Sequence, residues 1–281
     1  MSRQELWRRM KRSKFFIIGS ILVILIIILS VFAYVIAPYD PLKQVLRNRL
    51  KAPTGQWNNN IFGADALGRD ILSRLLIGSQ VSLKISFAVV ILTAIIGTIM
   101  GIIAGYFGGW VDTVIMRISD IQVSIPPMVL AIAVMAVLGN STFNLIAVLV
   151  FTRWVQYARV VRGNVMMIRN MDYIHASTVL GASKVRIMFT QILPNVLTPL
   201  IIVMSQEFGR TIMTESSLSF LGLGVPPPAP SWGVMIAEGR EYLSTAPWVV
   251  MVPAIALMIA VLAFNFLGDG VRDVLDPRNK N

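Results

Sequence analysis

Five stretches of this chain, 15–39, 85–111, 121–152, 187–206 and 242–268, contain no Asp, Glu, Lys or Arg at all. A helix needs roughly 20 mainly apolar residues to cross the hydrocarbon core of a bilayer, so each stretch is long enough to span. The first, as a helix, would be roughly 35 Å long and could cross with some tilt. The third exceeds one crossing and is interrupted by the turn cluster Gly139, Asn140 and Ser141, so it reads as a helical hairpin. The fourth continues to about Met213, and the fifth is interrupted at Pro247 and Pro253. The sum is six spans in an all-α membrane protein.

Composition agrees, since 56% hydrophobic and 14% charged residues do not describe a soluble globular domain. There is no cysteine, which removes disulfides, thiolate metal sites and cysteine nucleophiles from consideration. Ahead of the first run stand Arg3, Arg8, Arg9, Lys11, Arg12 and Lys14 against Glu5, which by the positive-inside rule holds the N-terminus in the cytoplasm. That run is longer than the h-region of a cleaved signal peptide, and no A-x-A site follows, so it reads as a retained anchor. An even span count then places both termini in the cytoplasm, with Arg272, Arg278 and Lys280 in the tail agreeing. The expected organisation is a basic N-terminus (1–14), a first span (15–39) and an extracytoplasmic loop with an interfacial helix (40–79). A membrane core (80–268) and a cytoplasmic tail (269–281) follow.

One loop strains that assignment: Lys43, Arg47, Arg49, Lys51, Arg69 and Arg74 fall on the outer side. The rule weakens for long loops. A net charge of +11 invites a nucleic-acid reading, but the basic residues sit at span ends without interleaved aromatics, which suits anionic lipid headgroups better.

Between the fourth and fifth spans lies YIHASTVLGASKVRIMFTQILP, residues 173–194, rich in small side chains and unlike a span. Ala176, Ser177, Gly181, Ala182 and Ser183 would leave a short helix thin-sided, so that another protein can approach its backbone. The pattern resembles the E-A-A-x-x-x-G … I-x-L-P loop of permeases from binding-protein-dependent ABC importers. It reads here as His175-Ala176-Ser177 through Gly181, then Ile192, Leu193 and Pro194. The resemblance implies a cytoplasmic coupling helix over about 172–190 that meets an ATPase subunit. His175, the chain's one histidine, stands where that family has Glu, and Asp172 lies three residues earlier on the same helical side. A tolerated surface substitution leads over any metal or proton-switch role for the histidine.

Two further segments extend the resemblance: Phe62 to Asp70 (FGADALGRD), and the stretch from Glu215 that contains LGLGVPPPAPSWG and ends in FLGDGVRDVLDPR. Together they resemble the C-type permease subunit of dipeptide and oligopeptide ABC importers, a subfamily that includes nickel and glutathione systems. That implies the type I ABC importer permease fold and a complex with a homologous second permease, two cytoplasmic ATPase subunits and an extracytoplasmic solute-binding protein. Peptide transport is the implied function. Nickel or glutathione import, or less so a proton-coupled secondary transporter, are the alternatives.

Physically, Ile71, Leu72, Leu75 and Leu76 recur at helical spacing and suggest an amphipathic helix along the outer surface, bracing the first two spans. Pro226, Pro227 and Pro228 stiffen a turn, and Trp232 offers a rigid surface, serving either as a platform facing the binding protein or as a re-entrant plug. Among charged residues inside spans, Glu207 and Arg210 are three apart and can pair near the outer interface, or line the translocation path. No G-x-x-x-x-G-K-[ST], H-E-x-x-H or G-x-S-x-G occurs. The chain is therefore expected to catalyse nothing and to bind no cofactor or metal, with ATP and Mg held by partner subunits.

Overall fold

The computed structural model describes residues 3–57 and 59–275, so the tail residues Arg278 and Lys280 lie outside the described residues. The N-terminal helices are α1 (Arg3–Arg12), α2 (Lys14–Val31) and α3 (Ala33–Ile36). After a long loop come α4 (Ile71–Phe107), α5 (Gly109–Val123), α6 (Pro127–Leu138) and α7 (Thr142–Arg169). Two short helices follow, α8 (Asp172–Val179) and α9 (Lys184–Ile187), then a π-turn (Met188–Ile192) leading into α10 (Leu193–Phe220). The chain closes with α11 (Trp232–Gly239) and α12 (Trp248–Leu275).

Lys14–Val31, Ile71–Phe107, Lys184–Phe220 and Trp248–Leu275 are long and apolar enough to cross a membrane, and α5 with α6 make a fifth such stretch if the bent pair is one span. The expected hairpin over 121–152 is drawn differently here. The chain breaks at 139–141 as its turn residues suggest, but it also bends by 87° between α5 and α6, at Ser124, Ile125 and Pro126. Pro126 and Pro127 supply no backbone N–H to carry a helix through that point. Beyond the break α7 continues to Arg169, 28 residues in all, but Arg153, Arg159, Arg162 and Arg169 make it less apolar than the other long helices.

Three local expectations also change. The interfacial helix expected within 40–79 is not separate, because Ile71, Leu72, Leu75 and Leu76 form the first turns of the 37-residue α4. Asp70 starts that helix, its carboxylate accepting from the Ser73 N–H at 2.8 Å and the Ser73 hydroxyl at 2.7 Å. The first span ends sooner than residue 39, with α2 stopping at Val31 and a break at Phe32. The segment 172–190 is two helices around a turn rather than one helix.

Close helix packing explains the glycine spacing. Gly97, Gly101 and Gly105 recur every four residues and so share one face of α4, which lies on α7. A Cβ on Gly97 would sit 2.8 Å from the Trp154 carbonyl, on Gly101 2.6 Å from the Ala158 carbonyl, and on Gly105 2.8 Å from Val165 Cβ. Residue numbers rise together along both helices, so α4 and α7 run parallel. This is the small-xxx-small packing that lets helices in lipid approach closely. Likewise Gly19 of α2 faces Leu267, and Gly270 of α12 faces Phe16, which sets α2 antiparallel to α12. Gly268 against Gln206 and Gly209 against Asn265 set α10 antiparallel to α12.

Candidate functional site

At the end of the bundle where α4 finishes, α8 and α9 project from between α7 and α10. Arg169 anchors their approach, its Nη1 donating to the Tyr106 carbonyl at 2.8 Å at the end of α4, and Lys184 lies 5.6 Å over the Phe107 ring. The helix α8 stops in a Schellman motif: the Gly181 N–H donates to the Thr178 carbonyl and the Ala182 N–H to the Ser177 carbonyl, both at 3.0 Å. Gly181 adopts φ +84°, and nothing lies within 4 Å of where its Cβ would be, so this glycine serves the left-handed turn and not a close internal contact. Ser183 then caps α9 by accepting from the Arg186 N–H at 3.3 Å.

Ser177 ties the segment to the bundle through Gln191, whose Nε2 donates to its hydroxyl at 2.8 Å, and Ile174 is the buried anchor. Asp172 occupies the first turn of α8, where a carboxylate suits the helix dipole. Asp172, His175, Ala176, Gly181 and Ser183 are exposed, while Ala182 is half-buried. Pro194 sits at the start of α10, where its missing N–H leaves Thr190 without its usual helical partner, directly after the π-turn. At the tip of the turn Val179 and Leu180 are each 87% exposed, an apolar pair left uncovered among the described residues.

Glu207 and Arg210 do pair, Arg210 Nη1 donating to Glu207 Oε1 at 2.9 Å, but near the midpoint of α10 and not at its outer end. The helix extends seven residues past Met213, the end expected from the sequence, which moves the pair inward. Arg153 of α7 completes the cluster, donating to Glu207 Oε2 at 2.6 Å and to the Thr214 hydroxyl at 2.5 Å. Every arginine of α7 has a partner: Arg159 bonds Asp120 at 2.8 Å, Arg162 the Asp112 carboxylate, and Arg169 the α4 carbonyls. A cavity of about 450 Å³ opens beside Glu207, Arg153, Arg159 and Arg210.

The opposite end is held by ion pairs and hydroxyl bonds that sequence inspection did not pair. Arg69 and Arg74 are both buried, and both bond Asp65 and Glu238: Arg69 at 2.7 and 2.8 Å, Arg74 at 2.5 and 2.8 Å. This joins the loop before α4 to α11. Of the two roles open to Trp232 it takes the inward one and not the exposed platform: it is buried, its indole N–H donating to the Leu75 carbonyl of α4 at 3.2 Å. Pro227 and Pro228 are exposed, and Pro226 is half-buried. Glu215, fully buried in α10, accepts from the hydroxyls of Ser219 at 2.8 Å, Ser82 at 3.2 Å and Ser216 at 3.3 Å. Ser219 in turn accepts from the Val225 N–H at 3.3 Å and lies where any side chain on Gly224 would fall, which pins the proline-rich turn to α10. The spacing of Ser216 and Ser219 after Glu215 was the legible signal for that cluster.

This arrangement is an ABC transporter permease fold. The crystal structure of an amino acid ABC transporter with histidines matches it with a TM-score of 0.51 at 16% identity, over 70% of this chain and 91% of that one. The chain belongs to the family of binding-protein-dependent transport system inner membrane components, whose model matches residues 97–281. The N-terminal TM domain of oligopeptide transport permease C matches residues 3–53. The glutathione transport system permease protein GsiD of Escherichia coli O6:K15:H31 (strain 536 / UPEC) is 42% identical over 276 residues, covering 98% of this chain and 90% of that protein. Its counterpart from Shigella flexneri serotype 5b (strain 8401) is 43% identical over the same shares.

Proposed function

We propose that this chain is one of two homologous permease subunits of an ATP-driven importer in a prokaryotic cell membrane. It passes peptides, with glutathione among the candidates, from an extracytoplasmic binding protein into the cell. The observation that carries this reading is the exposed apolar tip at Val179 and Leu180, held out by the turn at Gly181. Apolar side chains exposed together at the end of a membrane bundle call for a protein partner, and two cytoplasmic ATPases are the partners the family implies. ATP and Mg stay with those subunits.

In this reading α7 is a sixth span beside the five apolar stretches, its arginines made tolerable in the membrane by their partners. Parallel α4 and α7, and α12 antiparallel to both α2 and α10, fit six alternating crossings with both termini and α8–α9 in the cytoplasm. The turn at Pro227 and Pro228 faces the binding protein. Closure of the ATPases moves α8 and α9 as a lever, and the spans shift between two states that open to opposite sides. The names of the relatives favour glutathione or another peptide over nickel.

The test is purification of the tagged chain in mild detergent. A second permease and two ATPases should come with it, with hydrolysis stimulated by peptide-loaded binding protein. Gly181→Arg should abolish transport while the chain still inserts. A lone chain driven by a proton gradient, or a Gly181→Arg complex that transports and couples normally, would overturn the reading.

A further inference from the structure

The cavity of about 450 Å³ beside α10 shows cations and hides its anion. Glu207 is 1% exposed, with one carboxylate oxygen on Arg153 and the other on Arg210. Arg153 is spent as well, on Glu207, the Thr214 hydroxyl and the Arg210 carbonyl. Arg210 is different: its side chain is 62% exposed and gives one N–H to Glu207. Across the cavity Arg159 is 43% exposed and bonds Ser119 and Asp120. The cluster thus sets three guanidiniums against two carboxylates, Glu207 and Asp120, with the surplus charge on Arg210.

An exposed guanidinium near the midpoint of a span is costly against lipid, so Arg210 must face water or protein. Its free donors are arranged in a planar fork that fits a carboxylate with two parallel bonds. Resting on the importer reading above, we infer that this cavity is a transit site for solutes bearing a free carboxylate, with Arg210 as the residue that receives it. The same surplus charge repels a bare divalent cation, so the path itself, and not only the binding protein, sorts peptides from metal ions. An alternative occupant for the Arg210 fork is a carboxylate of the second permease.

The experiment uses the full complex in proteoliposomes and compares uptake of glutathione with uptake of its glycine-terminal amide. The binding protein is the same in every preparation, so a change in the acid-to-amide ratio reports on the permease. Arg210→Gln is expected to lower uptake of the free acid by about tenfold or more, as loss of a charged hydrogen bond does, and to leave the amide within about twofold. Arg210→Lys, which keeps the charge but not the planar fork, should recover only part of the acid uptake. Should Arg210→Gln fail to assemble, Arg210→Met is read in the same way.

An unchanged ratio overturns the inference while leaving the importer reading intact. Equal loss of acid and amide also overturns it and assigns Arg210 to the partner interface. Wild-type complexes that hydrolyse ATP but take up neither compound overturn glutathione as the solute together with the inference.

Discussion

Asp65 and Arg74, nine residues apart in the chain, meet inside the protein at 2.5 Å with their side chains 5% and 2% exposed. Arg69 and Glu238 complete the cluster, so two of the six basic residues that strained the charge rule in this loop are neutralised inside the protein. The rule concerns charges free to meet the membrane surface, and Arg69 and Arg74 are not free.

Removing Asp65 should therefore be severe. Asp65→Ala leaves two buried guanidiniums to share the half-exposed Glu238 and also removes the acceptor for the Leu67 and Arg69 N–H groups, and is expected to cost about 3–5 kcal/mol. Glu238 is 37% exposed, so water can replace it, and Glu238→Ala should cost no more than about 1 kcal/mol. Melting temperatures of the two variants in detergent decide the matter. Equal losses would mean that the cluster is not anchored on Asp65.

The glycine ridge on α4 predicts a contrast between two helical glycines. Gly101→Leu drives a side chain into the Ala158 carbonyl, 2.6 Å from the first added carbon, and should separate α4 from α7 and abolish the folded yield. Gly163 of α7 has nothing within 4 Å of its Cβ position. There Gly163→Ala should stabilise by about 0.5–1 kcal/mol through helix propensity alone. Size-exclusion profiles after expression in membranes report both outcomes, and a well-folded Gly101→Leu protein would refute the packing account.

Glu215 gives a third prediction. Gln keeps an oxygen acceptor for the serine hydroxyls, so Glu215→Gln should hold stability within about 1 kcal/mol, whereas Glu215→Leu leaves buried hydroxyls without an acceptor at about 1–3 kcal/mol each. A Leu variant that melts with wild type would show that these bonds do not hold the proline-rich turn in place.

Much of the fold was legible because its cause is local. Uninterrupted apolar runs mark helices wherever lipid is the solvent, and Gly139, Asn140 and Ser141 mark a break because turn chemistry depends on neighbours in sequence. Ser183 as a cap and Gly181 as a helix stop have equally local causes, but the small-residue content of 172–190 read as one helix where the left-handed Gly181 makes two. Trp232 stayed open between platform and plug because an amphipathic ring fits a surface or an interior equally well until α4 is seen beneath it.

What the sequence by itself determined is the solvent, the positions of most helices and the segment that projects between α7 and α10, since hydrophobicity and turn propensity act over a few residues. Only the tertiary structure decided which charges are spent and which remain on display. Arg69 and Arg74 meet Glu238, and Arg153 meets Glu207, across 54 or more residues of chain. Coulombic pairing depends on distance in space, and in a bundle that distance is set by how closely glycine faces let the helices approach.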